Sequence, residues 1–514
     1  MKAIRPETAQ LLYRELEKIA VQQDKDLTIR TGEAYRLFLT LLLEATKTER
    51  LQFSTLFARL AYVCHKWQLD KSLQYYLHTF RKYGVAQRPK FPGPDLLHLG
   101  LKATAVALEA LSGSAIPQAL AARLPVRWPL EFVPGAIKAF RSKARVLVLD
   151  EDVEKAQLIA RDEEAPEETI RVQYHIADRN EPFTPGIKNL RAVFGFPVAI
   201  NLLDVEIGTD GIYRPRAFVF APDHLVDVSA IAGSVLEGTA FPWQYLLDKF
   251  LTKETTPSLM LGNIANFYLD ELITRPETTY LELKSRVFRL NPLGFCGFSD
   301  REVVDMMGLS QKHYTNLRQV LEQVFAEQDI STSDCFVEPS FYSETYGLQG
   351  RLDVFYRQSE SSQPRTAIVE LKSGKIFKPN VYGINHSHFT QTLLYDLLVR
   401  STYGAPPDPM CYILYSGVEE RPLRYAPTVK VQQYEALQLR NSILGLEYAL
   451  AALGTGEAPL LEQGRQLFGQ LTGDRCPGNQ TFLLRDLNAF SGVYEGMNDL
   501  ERKYFIAFSG FIAR

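Results

Sequence analysis

The chain has 514 residues, 46% of them hydrophobic and 23% charged, with a formal net charge of −3. That is length for about three domains, and the charge excludes a globally basic binder of polyanions, so any such groove must be a local patch. No apolar run is long enough to span a bilayer, the first residues lack the apolar centre of a signal peptide, and five scattered cysteines (Cys64, Cys296, Cys335, Cys411, Cys476) fit a reducing cytoplasm rather than a disulfide scaffold.

Residues 1–135 read as an α-helical domain. Leu11 to Ile19, Glu33 to Glu44 and Leu51 to Trp67 carry apolar residues at three- and four-residue spacing, and Tyr75 to Phe80 and Leu96 to Leu111 continue the pattern. Arg81, Lys82, Arg88 and Lys90 form a basic cluster near its end, which a solvated face explains as well as a docking face. Residues 136–235 read as a small β-rich domain. Arg145–Leu149, Thr169–His175, Pro197–Leu203 and Arg216–Phe220 are short β-branched or aromatic runs separated by turn residues. A small barrel or sandwich is expected; an OB-like barrel would suit single-stranded DNA, by stacking bases on aromatics.

Pro222 to Ser229 leads into the third region, 236–450. Ser258 to Ile273 is an amphipathic helix, and 298–325 reads as two helices with His313 on the surface. Thr366 to Lys372 is a short apolar run, hence a strand. Side chains alternate along a strand, so Glu370 and Lys372 share one face and Val369 and Leu371 turn to a core on the other. Arg351 to Tyr356 reads as a second strand, with 358–365 as a hairpin connection. If the two pair, Asp353 stands beside Glu370. Two carboxylates beside an ammonium are hard ligands for Mg²⁺ or Mn²⁺, and such an ion activates water and neutralises charge on a phosphodiester. The helix from about Ser387 to Arg400 puts His388, Gln391 and Tyr395 on one face.

Gly350-x-x-Asp353, Glu370-x-Lys372 and Gln391-x-x-x-Tyr395, in this order, resemble the signature of the RecB-like branch of the PD-(D/E)XK nuclease superfamily. Gly-Leu-Gln-Gly-Arg-Leu-Asp353, Glu370-Leu-Lys-Ser-Gly-Lys and His388-x-x-Gln-x-x-Leu-Tyr395, with Leu439-Arg-Asn441, are similar to the nuclease domain of the flap-processing nuclease–helicases of DNA replication and repair. The resemblance implies an α/β fold: a restriction-endonuclease-like core, a mixed central sheet flanked by helices, preceded by the helical and β-rich domains. It implies a metal-dependent deoxyribonuclease acting on single-stranded or flapped DNA. Asp353, Glu370 and the backbone carbonyl of Leu371 would hold the ion. Lys372 would orient water or stabilise the transition state, and Gln391 and Tyr395 would position the lysine or the scissile strand. Glu338 would be an outer metal ligand or a surface acid. Ser373, Lys375, His388, Arg351 and, on the long Tyr434–Leu453 helix, Arg440 are the expected DNA contacts.

Two departures qualify the resemblance. Relatives carry a Gly-x-x-x-His helix whose histidine ligates metal; counting from Gly262, this chain has Asn266. An amide oxygen ligates a hard cation more weakly and does not titrate. Relatives also often hold a [4Fe–4S] cluster on four cysteines. Here Phe241-Pro-Trp stands at the first position, and Cys476-Pro-Gly-Asn479 lacks the next, so no iron–sulfur cluster is expected. Residues 451–514 read as a C-terminal helical segment. No P-loop occurs in these residues, so an ATPase, if one works with this chain, belongs to a following helicase domain or a partner subunit. The alternatives left open are a catalytically weak DNA-binding scaffold within a larger nuclease–helicase, and a RecB-like nuclease of phage defence.

Overall fold

A computed structural model describes the whole chain except residues 1–2, 23, 50–52, 54, 86–91, 131–136, 253, 359–363, 405–407, 456–457 and 479. The chain divides into two compact units, Met1–Ala136 and Ile137–Arg514.

The first unit is helical: α1 (Pro6–Val21), α2 (Leu27–Ala45), α3 (Leu56–Lys66), α4 (Lys71–Tyr83) and α5 (Gly93–Ser112). Asp26 and Asp70 cap α2 and α4 by accepting from the amides of Thr28 and Ser72, both at 2.8 Å. The apolar stripes meet in one core, where Tyr35, Phe38 and Phe80 pack ring to ring. Of the basic cluster, Arg81 lies over the Phe57 ring; Arg88 and Lys90 fall outside the described residues.

The second unit begins with six strands: β1 (Ile137–Asp152), β2 (Gln157–Asp162), β3 (Ala165–Gln173), β4 (Val198–Gly208), β5 (Ile212–Arg214) and β6 (Ala217–Phe220). Pairing runs β1–β2–β3–β5–β4 and returns to β1, with β3 and β5 parallel, so five strands close a circuit and β6 extends from β4. Ala144, Val146 and Val148 alternate into its interior. Inside the sheet, the carboxylate of Asp162 pairs with Arg141 and accepts from Tyr213 at 2.9 Å.

The chain then passes through β7 (Val226–Asp227), α6 (Pro257–Thr274) and α7 (Asp300–Gln319). It continues through β8 (Cys335–Val337), β9 (Ser340–Ser343), β10 (Leu348–Arg351), β11 (Val354–Arg357), β12 (Thr366–Lys372), α8 (His386–Tyr403), β13 (Met410–Tyr415), β14 (Leu423–Tyr425) and α9 (Lys430–Ala451). A mixed sheet has the order β8–β11–β12–β13–β14, with β12 and β13 parallel and the other neighbours antiparallel. A parallel pair needs a crossover, and α8 supplies it. Ile368 and Ile413 face the core shared with α8, α9 and the barrel. Val369, Leu371 and Leu414 face a second core built with α6 and α7. Helices on both faces explain why β12 is a continuous apolar run. Three further helices, Leu460–Phe468, Thr481–Gly496 and Asp499–Ala513, gather around an aromatic cluster of Phe250, Phe468, Phe490 and Phe505. Among the described residues no helix is long and apolar enough to cross a membrane.

Three expectations are corrected. The stretch 298–325 is not two helices: α7 runs on through a π-turn at Val320–Val324 to Glu327. His313 is not on the surface: it is buried, with Nδ1 2.8 Å from the Ser416 hydroxyl under the end of β12. Arg351 to Tyr356 is not one strand. It breaks at Leu352–Asp353, where the chain leaves a three-stranded sheet (β9, β10, β7) and joins the mixed sheet as β11.

Candidate active site

Strand register brings the two carboxylates together. Val354 pairs with Val369, so one step on, Asp353 comes opposite Glu370. Asp353 Oδ2 accepts the Leu371 amide at 2.6 Å, which replaces the ladder bond lost where β11 ends. In a strand the N–H and C=O of one residue point to the same edge, so the Leu371 carbonyl faces the same gap. Glu370 is 4% exposed. Burial and then the Glu370 charge push Asp353 well above the usual carboxylate range. Burial raises Glu370 too, against the lowering pull of Lys372.

Glu370 is held on one side only. Its Oε1 accepts from Lys372 Nζ at 2.9 Å and from Gln391 Nε2 at 2.6 Å. Its Oε2 is buried and, among the described residues, meets no donor in good hydrogen-bond geometry; Asp353, through its carboxyl and amide, offsets part of the burial of Glu370. The Gln391 side-chain oxygen accepts from Lys372 at 2.8 Å, so the amide bridges the lysine and the glutamate. Gln391 Nε2 also reaches the Tyr395 hydroxyl at 3.0 Å, and that hydroxyl donates to the Arg351 carbonyl at 2.8 Å. Tyr395 is 1% exposed and ties α8 to the strand leading into Asp353. The tie requires Gly350: a Cβ there would stand 2.9 Å from the Tyr395 ring.

His388 has a defined orientation. The Tyr415 hydroxyl accepts from the Asn385 amide at 3.1 Å and lies 3.0 Å from His388 Nδ1. Tyr415 is fully buried, so this contact orients the imidazole. Burial and the nearby Lys372 push His388 down to about 3, so the ring is neutral at ordinary pH.

Asn266, Glu338, Arg351, Asp353, Glu370, Lys372, His388, Gln391 and Tyr395 line one cleft of about 520 Å³. Asp227, Ser229 and Ser387 line it as well; the sequence reading missed them because nothing local marks them. Glu338 has φ +50, left-handed backbone that costs a glutamate energy, and pairs with Arg351 at 3.2 Å. Asp270, one turn beyond Asn266 on α6, was also missed. Burial, then the Glu338 charge, raises it to about 7. Its signal was the i,i+4 spacing to Asn266.

Ser373 and Lys375 follow on the rim and do not line the cleft. Arg440 is a correction. It is fully buried, and its guanidinium donates to the carbonyls of Phe220, Ala221, His224 and Gly347. It fastens α9 to the barrel exit and faces no phosphate. A larger, more apolar cavity of about 660 Å³, between Phe194, Trp243 and Gly445, carries none of these carboxylates.

Among the described residues no three His, Cys, Asp or Glu side chains converge closely enough to enclose a metal. A buried carboxylate oxygen beside a second carboxylate and a main-chain carbonyl nevertheless suits a small hard cation, which keeps several waters and takes few protein ligands. The chemistry available is metal-assisted hydrolysis with a lysine beside the ion. No family model matches the chain. Over 90 residues it is 36% identical to the DNA replication ATP-dependent helicase/nuclease dna2 of Schizosaccharomyces pombe, a match covering 16% of this chain and 6% of that protein. The chain thus shares a partial sequence likeness with a DNA nuclease–helicase.

Proposed function

We propose that this chain is a metal-dependent nuclease that hydrolyses phosphodiester bonds of single-stranded or flapped DNA in replication, repair or recombination, on a restriction-endonuclease-like core of the RecB-like PD-(D/E)XK type. One observation carries the reading. Glu370 is gripped at Oε1 by Lys372 and Gln391, and its Oε2, with no donor in good geometry among the described residues, is buried beside Asp353. Asp353, Glu370 and the Leu371 carbonyl would hold Mg²⁺ or Mn²⁺, with Asn266 and Glu338 as further oxygen donors. Bound there, the ion would lower the pKa of water and offset charge on the phosphate.

The chain's own residues do the rest. Lys372, fixed by Gln391, aligns the attacking water and faces the developing negative charge. His388, neutral at ordinary pH, offers a ring nitrogen to the bound strand. Arg351, Ser373 and Lys375 on the rim guide the strand. Gln391 and Tyr395 position the lysine and the carboxylate. The partial likeness to a helicase/nuclease supports DNA as substrate and a helicase domain or subunit as partner, working with the nucleic acid in the cytoplasm. A nuclease of phage defence would use the same chemistry.

A second reading, a DNA-binding scaffold with weak catalysis, is favoured by Asn266 standing in the cleft where relatives carry a histidine. End-labelled single-stranded and flapped DNA, incubated with Mg²⁺ or Mn²⁺ beside Glu370→Gln, separates the two. Cleavage that disappears in the variant supports the nuclease. Tight binding with no cleavage under either ion sinks it.

A further inference from the structure

From Lys372 to Tyr395 the sequence has three lysines (Lys372, Lys375, Lys378) and no aspartate or glutamate, in a chain of net charge −3. The middle of this stretch, 374–385, connects β12, which bears Glu370 and Lys372, to α8, which bears His388 and Gln391. It presents apolar side chains to solvent: Phe377 is 67% exposed, Val381 93% and Tyr382 42%.

These side chains are held out by an ordered loop. The Phe377 amide donates to Asn385 Oδ1 at 2.9 Å. Asn380 Oδ1 accepts from the amides of Tyr382 and Ile384 at 3.0 and 3.1 Å, and the Asn380 amide returns to the Ile384 carbonyl at 2.8 Å. Ile384 is buried as the loop's anchor, and Arg424 binds the Gly383 carbonyl. Asn385 then joins the Tyr415 hydroxyl that sets His388. The Tyr382 ring rests on Phe389, 5.3 Å between centroids and 29° between planes, which leaves its other face open. Lys378 is pinned to Glu237 at 2.7 Å with its ammonium 5.3 Å from the Phe377 ring centroid.

Exposed aromatics in a pre-ordered, acid-free, lysine-bearing loop that joins the strand of Glu370 to the helix of His388 match the chemistry of an unpaired nucleic-acid strand. Bases stack on rings, and phosphates meet lysines. We propose that the 374–385 loop is a base-stacking platform, with Phe377 and the open face of Tyr382 taking bases of a single strand and Lys375 its phosphate. This rests on the nuclease reading for its direction into the cleft, and it names what that cleft selects: unpaired rather than duplex DNA, because a paired base has no free face to offer.

The test uses the full chain carrying Glu370→Gln, with Ca²⁺, and fluorescence anisotropy on labelled oligo(dT) and on a blunt duplex. Phe377→Ala and Tyr382→Ala should each weaken oligo(dT) binding by about tenfold and leave duplex binding unchanged. Phe377→Trp should retain it. Both positions are solvent-exposed, so melting temperatures should match. Abasic sites in the oligonucleotide should weaken binding to the parent but not further weaken binding to the double alanine variant. Unchanged oligo(dT) affinity in the double variant overturns the platform and assigns the loop to a protein partner; equal loss on single strand and duplex also overturns it. Cleavage by the unsubstituted chain is read separately. Binding that follows the platform's pattern without cleavage removes the nuclease and keeps the platform. Cleavage with unaltered affinity in the variants does the reverse.

Discussion

Two buried charges in the second unit make an instructive pair. Arg440 is wholly enclosed and, among the described residues, in no ion pair; burial pulls it down to about 9 against the opposing charge of Glu447. Yet each of its guanidinium nitrogens donates to a backbone carbonyl, and Gly347, at φ +61, leaves the room a side chain would fill. Glu370 is buried nearly as completely, has a cation and an amide at one oxygen, and at the other, among the described residues, no donor in good geometry, with Asp353 beside it. An unsatisfied buried charge costs several kcal/mol. A fold tolerates it where something outside the chain completes the shell. The first charge is there for architecture and the second for chemistry, and satisfaction of hydrogen-bonding capacity distinguishes them where burial does not.

The contrast is broken most directly at its two poles. Glu370→Gln should reduce Mg²⁺-supported cleavage by on the order of a thousandfold or more while leaving the melting temperature of the metal-free protein equal or higher. A large fall in melting temperature would make Glu370 architectural. Arg440→Met should do the opposite. It should lower unfolding free energy by about 3 kcal/mol or more, because the orphaned carbonyls stay buried, with kcat of the remaining folded protein within about twofold, as measured by denaturant titration beside activity.

Smaller effects sharpen the line between the poles. Gln391→Ala removes the bridge between Lys372 and Glu370 and should cost about 10- to 100-fold in activity and metal affinity. Isothermal titration with Mn²⁺ would report the second. The smallest expected effect is on pH dependence. Asp270, Asp353 and Glu370 all hold their protons to higher pH in the fold than when unfolded. Their stabilisation is complete below their unfolded values of about 4 and is lost as pH rises through the folded ones, about 7 for Asp270. The metal-free protein should therefore lose stability from pH 5 to 8, and Asp270→Asn should flatten that slope, melting about 2 °C above the parent at pH 8 and converging with it near pH 5.

Much of the cleft was legible in the chain because its parts are local. The period-two alternation of 366–372 puts Glu370 and Lys372 on one face, and the four-residue spacing of Gln391 and Tyr395 puts both on one side of a helix. What was not legible depends on distant partners. Arg440 looks like any cation on a long helix until four carbonyls from 220 to 347 close around it. Asp270 looks like a surface acid until Glu338 and Arg351 arrive from distant parts of the sequence. The break at Leu352–Asp353 is invisible because Leu352 and Val354, both apolar and two apart, read as one strand face, yet Leu352 joins the core shared with α8 and Val354 the core built with α6 and α7. The strands β2 and β5 escaped notice because each is short and owes its place to closing the circuit, β5 through a parallel pairing with β3 across the intervening helices.

That break at Asp353 has a mechanical meaning. Arg351, two residues before it, belongs to one sheet and Val354, just after it, to another, so Asp353 sits where the two sheets meet. A displacement of β10 against β11, delivered from β7 or β9, would act on Asp353, whose Oδ2 is tied to the Leu371 amide of the neighbouring strand. Asp353 is a joint between two sheets, and whatever grips the smaller sheet reaches the candidate site through it.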